Sequence, residues 1–307
     1  MMFSCCVVCS FLVFLCRFCG GDRDTDSLAH IVYAGNSAHL PGLRASARSV
    51  ILNSAHPSKI VIHVFELNSS PMELEELGTW MLAKNSLMQR HQYTIDEVIP
   101  YINVHLNNTS RLKSPSNYVR YLLAEKLKDI SKCLYLDTDT IVTKDVVPFM
   151  RERSSNKVLS AFPRSTQTVS AAAFLKLKNL KVDVAQPNPS FNAGIVVFNL
   201  IAWRRQNMTA KAKLVSEYNV EYKLWDSYGS QPAMLVLLGG DRFENLQENL
   251  FVNNIAYRKL GSQHLRQIEV DQAMFLHWNG GRKPWNPCAG QKPCFNFDIW
   301  KRYDVAT

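Results

Sequence analysis

The chain of 307 residues lacks any concentrated run of basic residues, although it carries 35 Lys and Arg against 26 Asp and Glu. No five consecutive positions are basic, and no recognised nucleic-acid-binding module is present. Nucleic acid is therefore not expected as a partner. The formal net charge of +9 instead predicts a basic surface that favours anionic ligands, such as nucleotide-sugars or acidic glycans.

Cysteine is scarce in most of the chain, because five of the eight cysteines fall within the first 19 residues. The remaining three are Cys133, Cys288 and Cys294, and no second Cys/His pair has the spacing of zinc ligands. A zinc site is therefore not expected, and Cys133 is predicted to be a core residue. Cys288 and Cys294 flank a short loop and could form a disulfide in an oxidising compartment.

Charge is almost absent from the N-terminus, where Arg17 is the one charged residue among the first 19. The apolar centre from Val7 to Leu15 has the length of a secretory signal peptide and is short for a membrane span, but the usual preceding positive residues are missing. We expect residues 1–24 to be a signal peptide or a short, membrane-associated signal-anchor, and residues 25–307 to enter the secretory pathway. Sequons that permit a luminal location begin at Asn68, Asn107, Asn108 and Asn207.

No internal repeat or low-complexity linker interrupts residues 25–307, which are therefore predicted to form one domain. Strands are predicted at His30–Ala34 and Ile60–Phe65, with helices at Pro41–Asn53 and Pro71–Lys84. Alternation of strands and helices predicts an α/β fold, with a mainly parallel sheet covered by helices on both faces.

Further elements follow in the second half of the chain. The remaining predicted helices are residues 117–127, Ile201–Tyr218 and Gln231–Leu238, and the remaining predicted strands include Val158–Phe162 and Phe191–Leu200. Ligands of such sheets bind beyond the carboxyl ends of strands. Asn36, Asp137 and His277 each follow a predicted strand, so they are expected to line one crevice.

The segment KCLYLDTDTIVT, residues 132–143, contains the strongest local signal. A buried strand ends at Asp137, and Asp139 points to the same face because residues two apart do so in an extended chain. The plain interpretation is a polar strand end with two solvated aspartates. The favoured interpretation is a site for Mg²⁺ or Mn²⁺, because two carboxylates this close repel each other unless a cation lies between them.

Three segments, LYLDTDTIV, FNAGIVVFNLIAWRR and HWNGGRKPW, together resemble glycosyltransferase family 8, the retaining transferases of the GT-A fold that use UDP-sugars. The tail is similar to plant galacturonosyltransferase-like and animal glycosyltransferase-8-domain proteins. The resemblance covers roughly residues 29–304. It implies a GT-A-type, Rossmann-like α/β domain, an Mn²⁺ or Mg²⁺ ion, a UDP-sugar donor and a glycan or glycoconjugate acceptor.

The resemblance also implies roles for individual residues. Asp137, Asp139 and His277 would bind the metal, and Lys283 would contact the diphosphate and stabilise departing UDP. Gly280 would let backbone N–H groups approach the diphosphate. Lys283, Gln231 and Asn192 are the expected catalytic residues, and the other expected donor-site residues are Ala34, Asn36, Arg120, Thr138 and Ala193.

Alternatives remain open for two of these residues. Asn192 could merely satisfy backbone groups at a strand irregularity, where Gly194 would be a close-approach glycine. Arg120 could lie on a solvated helix face, although its apolar neighbours favour partial burial. Asn36 stands where the family often has an acidic residue that contacts uridine, and an amide can still bind the uracil edge.

Two departures from the family pattern bear on sugar specificity. Many members carry D-Q-D where this chain has Ser230, Gln231 and Pro232. A second family aspartate has no clear counterpart, and Arg164 occupies that region. These changes leave the sugar unassigned and affect the nucleotide and metal site much less.

The predicted function is Mn²⁺-dependent transfer of a hexosyl or uronosyl group from a UDP-sugar to a glycan hydroxyl, with retention, in the Golgi lumen. A double displacement needs a nucleophile, and Gln231 offers only an amide, so a front-face displacement is favoured. The alternatives are an inactive or scaffolding relative that binds nucleotide or glycan, and a cytosolic, self-glycosylating protein similar to glycogenin.

Overall fold

The computed structural model describes residues 28–107, 110–153, 156–165, 168–262, 265–286 and 295–304. The expected signal segment, residues 1–24, and the pair Cys288 and Cys294 lie outside the described residues, so both remain predictions. Cys133 is fully buried, as expected of a core residue. Within the described residues, no helix has the length and apolar character needed to cross a bilayer.

Ten strands form two sheets within these residues. The strands are β1 (Ala29–Ala34), β2 (Ile60–Leu67), β3 (Leu87–Tyr93), β4 (Lys132–Leu136), β5 (Thr140–Val142), β6 (Leu159–Arg164), β7 (Ser190–Asn199), β8 (Glu244–Asn245), β9 (Phe251–Asn253) and β10 (Phe275–His277). The larger sheet has the order β3-β2-β1-β4-β7-β6-β8, and the smaller has the order β5-β10-β9.

The larger sheet is mostly parallel, as predicted. The pairs β1–β2, β2–β3, β1–β4 and β6–β8 are parallel, whereas β4–β7 and β6–β7 are antiparallel. The direction of the chain therefore reverses beside β4, the strand that ends at the two aspartates. This arrangement places the carboxyl ends of β1 and β4 and the start of β7 at the same edge of the sheet.

Helices cover both faces of the larger sheet. On one face, Ile31 and Tyr33 pack with helix Leu40–Leu52, and on the other Val32 packs with segment Pro115–Tyr121. This alternation follows from the two-residue period of a strand. The α-helices are Leu40–Leu52, Glu75–Ala83, Ile95–Val98, Leu123–Lys126, Val146–Arg151, Ala171–Asn179, Leu200–Arg205, Met208–Tyr222, Gln231–Leu238, Gln267–Gln272 and Phe297–Lys301.

The smaller sheet joins two distant parts of the chain. Strand β5 continues directly from the aspartates, and β10 pairs with it antiparallel, with His277 opposite Thr140. Strand β9 pairs with the other side of β10, with Asn253 opposite His277. Apolar residues of all three strands share a third core with Trp278 and Trp300.

Several elements differ from the predicted ones. The helix predicted at Ile201–Tyr218 is two helices, because Asn207 adopts a left-handed conformation (φ 52°) between them. The corner is held by Trp203, whose indole N–H donates to the Thr209 hydroxyl at 3.0 Å. The helix predicted from Pro71 begins only at Glu75, and the preceding segment is attached to β2 through the Met72 N–H, which donates to the Glu66 carboxylate at 2.7 Å.

Two further differences concern the edge and the site. Strand β3 was not predicted, because its sequence, LMQRHQY, is largely polar and lies at the edge of the sheet. The helix predicted over residues 117–127 is instead a 3-10 helix, Pro115–Tyr121, followed by one short α-helical turn, Leu123–Lys126. The tighter winding places Arg120 against the sheet.

A row of three histidines crosses the first three strands. His30, His63 and His91 are linked in sequence by ring-nitrogen hydrogen bonds of 2.9 Å each. Burial, together with the neighbouring His30 and His91, lowers the pKa of His63 to about 3. The folded protein therefore favours neutral His63, whereas the unfolded chain can protonate it near pH 6.5.

We predict that this row makes the protein less stable in acid. Since the folded pKa of His63 lies below the unfolded value, its contribution is complete above pH 6.5 and is lost as the pH falls toward about 3. Between pH 7.5 and 5.5 the loss should be about 1.4 kcal/mol. Urea unfolding would measure the free energy of unfolding at both pH values. In His63→Gln, the loss between them should be smaller than in wild type by this amount. The control is His56→Gln on the exposed surface, and an equal change in both variants would contradict the assignment.

Candidate active site

The two aspartates stand at the junction of the two sheets. The Asp137 N–H donates to the Gly194 carbonyl at 2.7 Å, and the Thr140 hydroxyl donates back to the Asp137 carbonyl at 2.8 Å. These bonds fix the turn between β4 and β5. Asp139 is 5% exposed, whereas the side chain of Asp137 is 32% exposed and opens toward solvent.

His277 reaches the aspartates from the smaller sheet. The N–H of the next residue, Trp278, donates to the Asp139 carbonyl at 2.9 Å, which extends the pairing of β5 and β10. The His277 Nε2 atom lies 3.1 Å from Asp139 Oδ1 and 3.8 Å from Asp137 Oδ2. One ligand atom from each of the three side chains lies within 4.8 Å of the others.

Two cations also contact the carboxylates. The buried Arg120 guanidinium donates to Asp137 Oδ1 at 3.2 Å, to the Ala193 carbonyl at 2.7 Å and to the Tyr135 hydroxyl at 3.1 Å. The Lys283 ammonium is paired with Asp139 Oδ2 and donates to the Trp278 carbonyl at 3.2 Å. Arg120 is therefore a buried part of the site, which excludes the solvated-face interpretation.

The charges around Asp139 determine its protonation state. Burial alone would raise the pKa of this carboxyl group, but Lys283 and His277 offset burial and hold the pKa below its usual range. Asp139 is therefore ionised, buried and in contact with a cation. Near neutral pH, such a carboxylate is stabilised by a positive charge beside it.

The donor set fits a divalent cation. Two carboxylates and an imidazole nitrogen are ligands that suit Mn²⁺ or Mg²⁺. Gly194 leaves the space for them, because a Cβ atom there would lie 2.5 Å from Asp137 Oδ2 and 2.6 Å from His277 Cε1. The Lys283 ammonium now in contact with Asp139 shows that the pocket accepts a cation.

A cleft of about 670 Å³ opens over these groups. Most of the residues expected from the sequence share its wall. Those residues are Ala34, Arg120, Asp137, Thr138, Asp139, Asn192, Ala193, Gln231, His277, Gly280 and Lys283.

Asn36 is the expected donor-site residue that does not line the cleft. Its side-chain oxygen accepts the Ala38 N–H at 3.1 Å and contacts a ring nitrogen of His39 at 2.7 Å. The neighbouring wall is formed by Ala34, Ala38 and His39 instead. Burial lowers the pKa of His39, which favours a neutral ring at this end of the cleft.

The opposite end of the cleft is organised around the start of β7. The Asn192 amide oxygen accepts the Gly194 N–H at 2.8 Å, and the Gln231 amide donates to the Phe191 carbonyl at 3.1 Å. Asn192 thus satisfies a backbone group, as the alternative interpretation held, and also faces the cleft. Arg164 joins the same wall, and its guanidinium has no acidic partner among the described residues.

The sequence of this chain matches glycosyl transferase family 8 over residues 30–289. The chain belongs to this family. Probable galacturonosyltransferase-like 10 of Arabidopsis thaliana is 25% identical over 285 residues, covering 91% of this chain and 77% of that protein. Glycosyltransferase 8 domain-containing protein 1 of Danio rerio is 24% identical over 291 residues, covering 86% of this chain and 76% of the other.

Solved structures share the fold. The galactosyltransferase LgtC, solved with donor and acceptor sugar analogs, has a TM-score of 0.63 at 20% identity and covers 90% of this chain and 95% of its own. The mouse xyloside xylosyltransferase 1 has a TM-score of 0.52 at 15% identity, and the match covers 82% of this chain and 97% of the mouse protein chain. The GT-A fold and the enzyme class, a hexosyl- or glycosyltransferase of family 8, are therefore confirmed.

Sequence reasoning missed several residues of the site. Tyr135 and His39 line the cleft beside residues that were expected. The available sequence signals were that Tyr135 precedes Asp137 by two positions and that His39 follows shortly after β1. Arg111 and Tyr257 contact the loop that contains Lys283, but they lie far from it in sequence. Such contacts depend on the fold, so no local pattern indicates them.

We predict that Gly194→Ala weakens metal binding while the fold is retained. The added methyl group would meet Asp137 and His277 at about the ligand positions. Disturbing the surroundings of metal ligands typically costs about 10- to 100-fold in affinity. Titration of Mn²⁺ followed by electron paramagnetic resonance would measure the change. Gly78→Ala, where the added methyl meets only the Met88 terminal methyl group, is the control, and equal affinities would contradict the site.

Proposed function

We propose that this protein transfers a hexosyl or uronosyl group from a UDP-sugar to a hydroxyl of a glycan or glycoconjugate, with retention at the anomeric carbon and dependence on Mn²⁺ or Mg²⁺. The observation that supports this most is the group of Asp137, Asp139 and His277 at the floor of a cleft with basic walls. A bound divalent ion would neutralise the diphosphate and improve UDP as a leaving group. The remaining chemistry falls to side chains of this chain.

Lys283 and Arg120 stabilise negative charge on the leaving group. Lys283 is only partly buried and its ammonium is held at Asp139, within the wall of the cleft. Arg120 is fixed by three acceptors and cannot rotate away. Because both cations are in place before the reaction, they need little reorganisation as charge develops on UDP.

Retention without an enzyme nucleophile fits the composition of the cleft. Among the described residues that line it, the carboxylates are Asp137 and Asp139, and both belong to the metal group. Gln231 also lines the cleft, but its amide is a poor nucleophile. A front-face displacement, in which the departing phosphate accepts the proton of the acceptor hydroxyl, requires no further carboxylate.

The charge beside the start of β7, where we propose that the donor sugar lies, favours a donor that bears a carboxylate. Arg164 lies there, and the carboxylates that many relatives carry beside Gln231 are replaced by Ser230 and Pro232. A guanidinium binds a carboxylate strongly and often through two hydrogen bonds. A uronosyl group is therefore favoured over a neutral hexosyl group.

The setting of the enzyme is proposed from the sequence and its relatives. The apolar N-terminal segment is typical of proteins that enter the secretory pathway. Glycan acceptors are available in that pathway, and the Golgi lumen is the proposed compartment. Relatives named galacturonosyltransferase-like are consistent with uronosyl transfer in this setting.

We predict that a divalent ion is required for nucleotide binding. Isothermal titration should show UDP binding in the presence of Mn²⁺ and at least about 100-fold weaker binding after EDTA treatment, because no divalent ion then lies between the diphosphate and the two carboxylates. Asp137→Asn should reduce the effect of added Mn²⁺. Equal UDP affinity with and without the ion would remove the metal from the proposed function.

We predict that Asp139→Ala and Lys283→Ala abolish most turnover without unfolding the protein. Loss of one preorganised group at the developing charge typically costs about 10²–10³ in kcat. Donor hydrolysis and transfer would be measured alongside circular dichroism. Lys84→Ala, an exposed lysine at the end of a distant helix, is the control. Near wild-type turnover of both site variants would refute the assignment.

We predict that Arg164→Ala changes donor preference. It should lower kcat/KM for uronosyl donors by about 10- to 100-fold, the cost of a lost charge-assisted hydrogen bond, and leave neutral donors nearly unchanged. Ser230→Asp should act in the same direction by adding a negative charge beside the sugar. Arg205→Ala on an exposed helix end is the control. A wild-type preference for neutral donors, unchanged in Arg164→Ala, would overturn the donor class and leave the transferase proposal standing.

A further inference from the structure

We propose that Tyr257 is a positioning residue that fixes the loop carrying Lys283, an inference that rests on the proposed function for the role of that lysine. Tyr257 ends a 3-10 turn, Ile255–Tyr257, that follows β9 almost directly. The Lys283 loop follows β10, which is paired with β9 so that Asn253 lies opposite His277. The tyrosine and the loop therefore leave neighbouring strands at the same end.

The hydroxyl of Tyr257 binds the loop backbone at two consecutive positions. It accepts the Gly281 N–H at 3.1 Å and the Arg282 N–H at 3.3 Å. The Arg282 guanidinium also lies over the tyrosine ring, 4.7 Å from its centroid. One side chain thus contacts the loop through its hydroxyl and through its ring, immediately before Lys283.

The loop is shaped to receive this side chain. Gly280 adopts φ +96°, a conformation that other residues rarely accept. A Cβ atom at Gly280 would lie 3.0 Å from the Tyr257 hydroxyl oxygen and 3.2 Å from ring atom Cε2. Glycine is therefore required here both by the backbone conformation and by the close approach of the tyrosine.

Tyr257 contacts the loop from the side away from the cleft. Gly280, Gly281 and Lys283 line the cleft, whereas Tyr257 does not. The Gly281 and Arg282 N–H groups are consequently directed to the tyrosine and not to a diphosphate. Lys283 is the next residue of the loop and its ammonium lies at Asp139 in the wall of the cleft, so its position depends on the tyrosine behind the loop.

A second contact reaches the loop from another side. Arg111 donates to the Gly281 carbonyl at 3.2 Å, so the peptide groups of Gly281 are bonded through both N–H and C=O. Lys283 itself bonds to the Trp278 carbonyl within the loop at 3.2 Å. Loss of the tyrosine hydroxyl would free two backbone N–H groups to water without opening the core, since Tyr257 is 44% exposed. Fold stability should therefore change little while the loop becomes mobile.

The decisive variant is Tyr257→Phe, which removes the hydroxyl and keeps the ring. Amide hydrogen exchange over residues 278–286 should become at least about 10-fold faster than in wild type. Titration of UDP with Mn²⁺ should show weaker binding, and kcat/KM for the best UDP-sugar should fall by about 10- to 100-fold, the typical cost of a displaced catalytic group. Tyr222→Phe is the matched control, because Tyr222 also lies against a cation, Lys176, far from the cleft.

A double-mutant cycle shows whether the tyrosine acts through Lys283. In the Lys283→Ala background, Tyr257→Phe should cause no further loss of kcat/KM. Additive losses, unchanged amide exchange, or tighter UDP binding in Tyr257→Phe would each overturn the inference, the last because it would mean that the hydroxyl competes with phosphate. Failure of wild type to bind UDP with Mn²⁺ would instead refute the proposed function, and amide exchange would still test the loop contact.

Discussion

The repulsion between two carboxylates at one strand end is the constraint on which the site depends. Two unit charges about 4 Å apart repel by roughly 4 kcal/mol at an effective dielectric constant of about 20. Asp137 and Asp139 are held together by backbone bonds to Gly194 and Trp278, so they cannot separate to relieve this repulsion. The fold instead supplies a guanidinium and an ammonium from outside β4, together with an imidazole that can help to bind a metal ion. These groups offset the repulsion and keep both carboxylates available as ligands.

Arg120 compensates part of this negative charge, although burying its guanidinium is itself unfavourable. A buried guanidinium needs acceptors for its donors, and here a carboxylate, a carbonyl and a phenol accept from its two terminal nitrogens, while its Nε atom has no partner among the described residues. Its plane also lies over the Tyr135 ring, 4.5 Å from the centroid, which adds a cation–π contact. Because Tyr135 belongs to β4 and Ala193 to β7, the guanidinium also joins the antiparallel pair that ends at the site. The same interaction therefore compensates charge and fixes the geometry of the cleft where β4 ends and β7 begins.

Sequence patterns predicted the structural features that depend on residues close together in the chain. They missed the features that depend on contacts between distant segments. The two aspartates, the glycine of the FNAG segment and the strand-helix order all follow from local spacing, and the structure places them as expected. The polar edge strand β3 lacked an apolar pattern, and the break at Asn207 gave no glycine or proline signal. The contact between His277 and Asp139 joins residues 138 positions apart. The rule that ligands bind beyond the strand ends placed His277 in the same crevice as Asp137, but only the resemblance to a family indicated the direct contact, because no local rule links β10 to β5. Neither a local sequence pattern nor the family resemblance indicated Tyr257 or Arg111.

The small sheet explains why the metal group and the phosphate loop form together. Strand β5 begins directly after Asp139, β10 ends at His277, and the loop with Lys283 follows β10. Strand β9 adds the support for that loop on the far side of β10. A shift of β10 by one residue would turn His277 away from the carboxylates, because neighbouring residues of a strand face opposite sides. The same shift would displace Lys283 from Asp139. The register of these three short strands therefore determines the positions of both the metal group and the Lys283 loop. The apolar core that contains Trp278 and Trp300 stabilises that register.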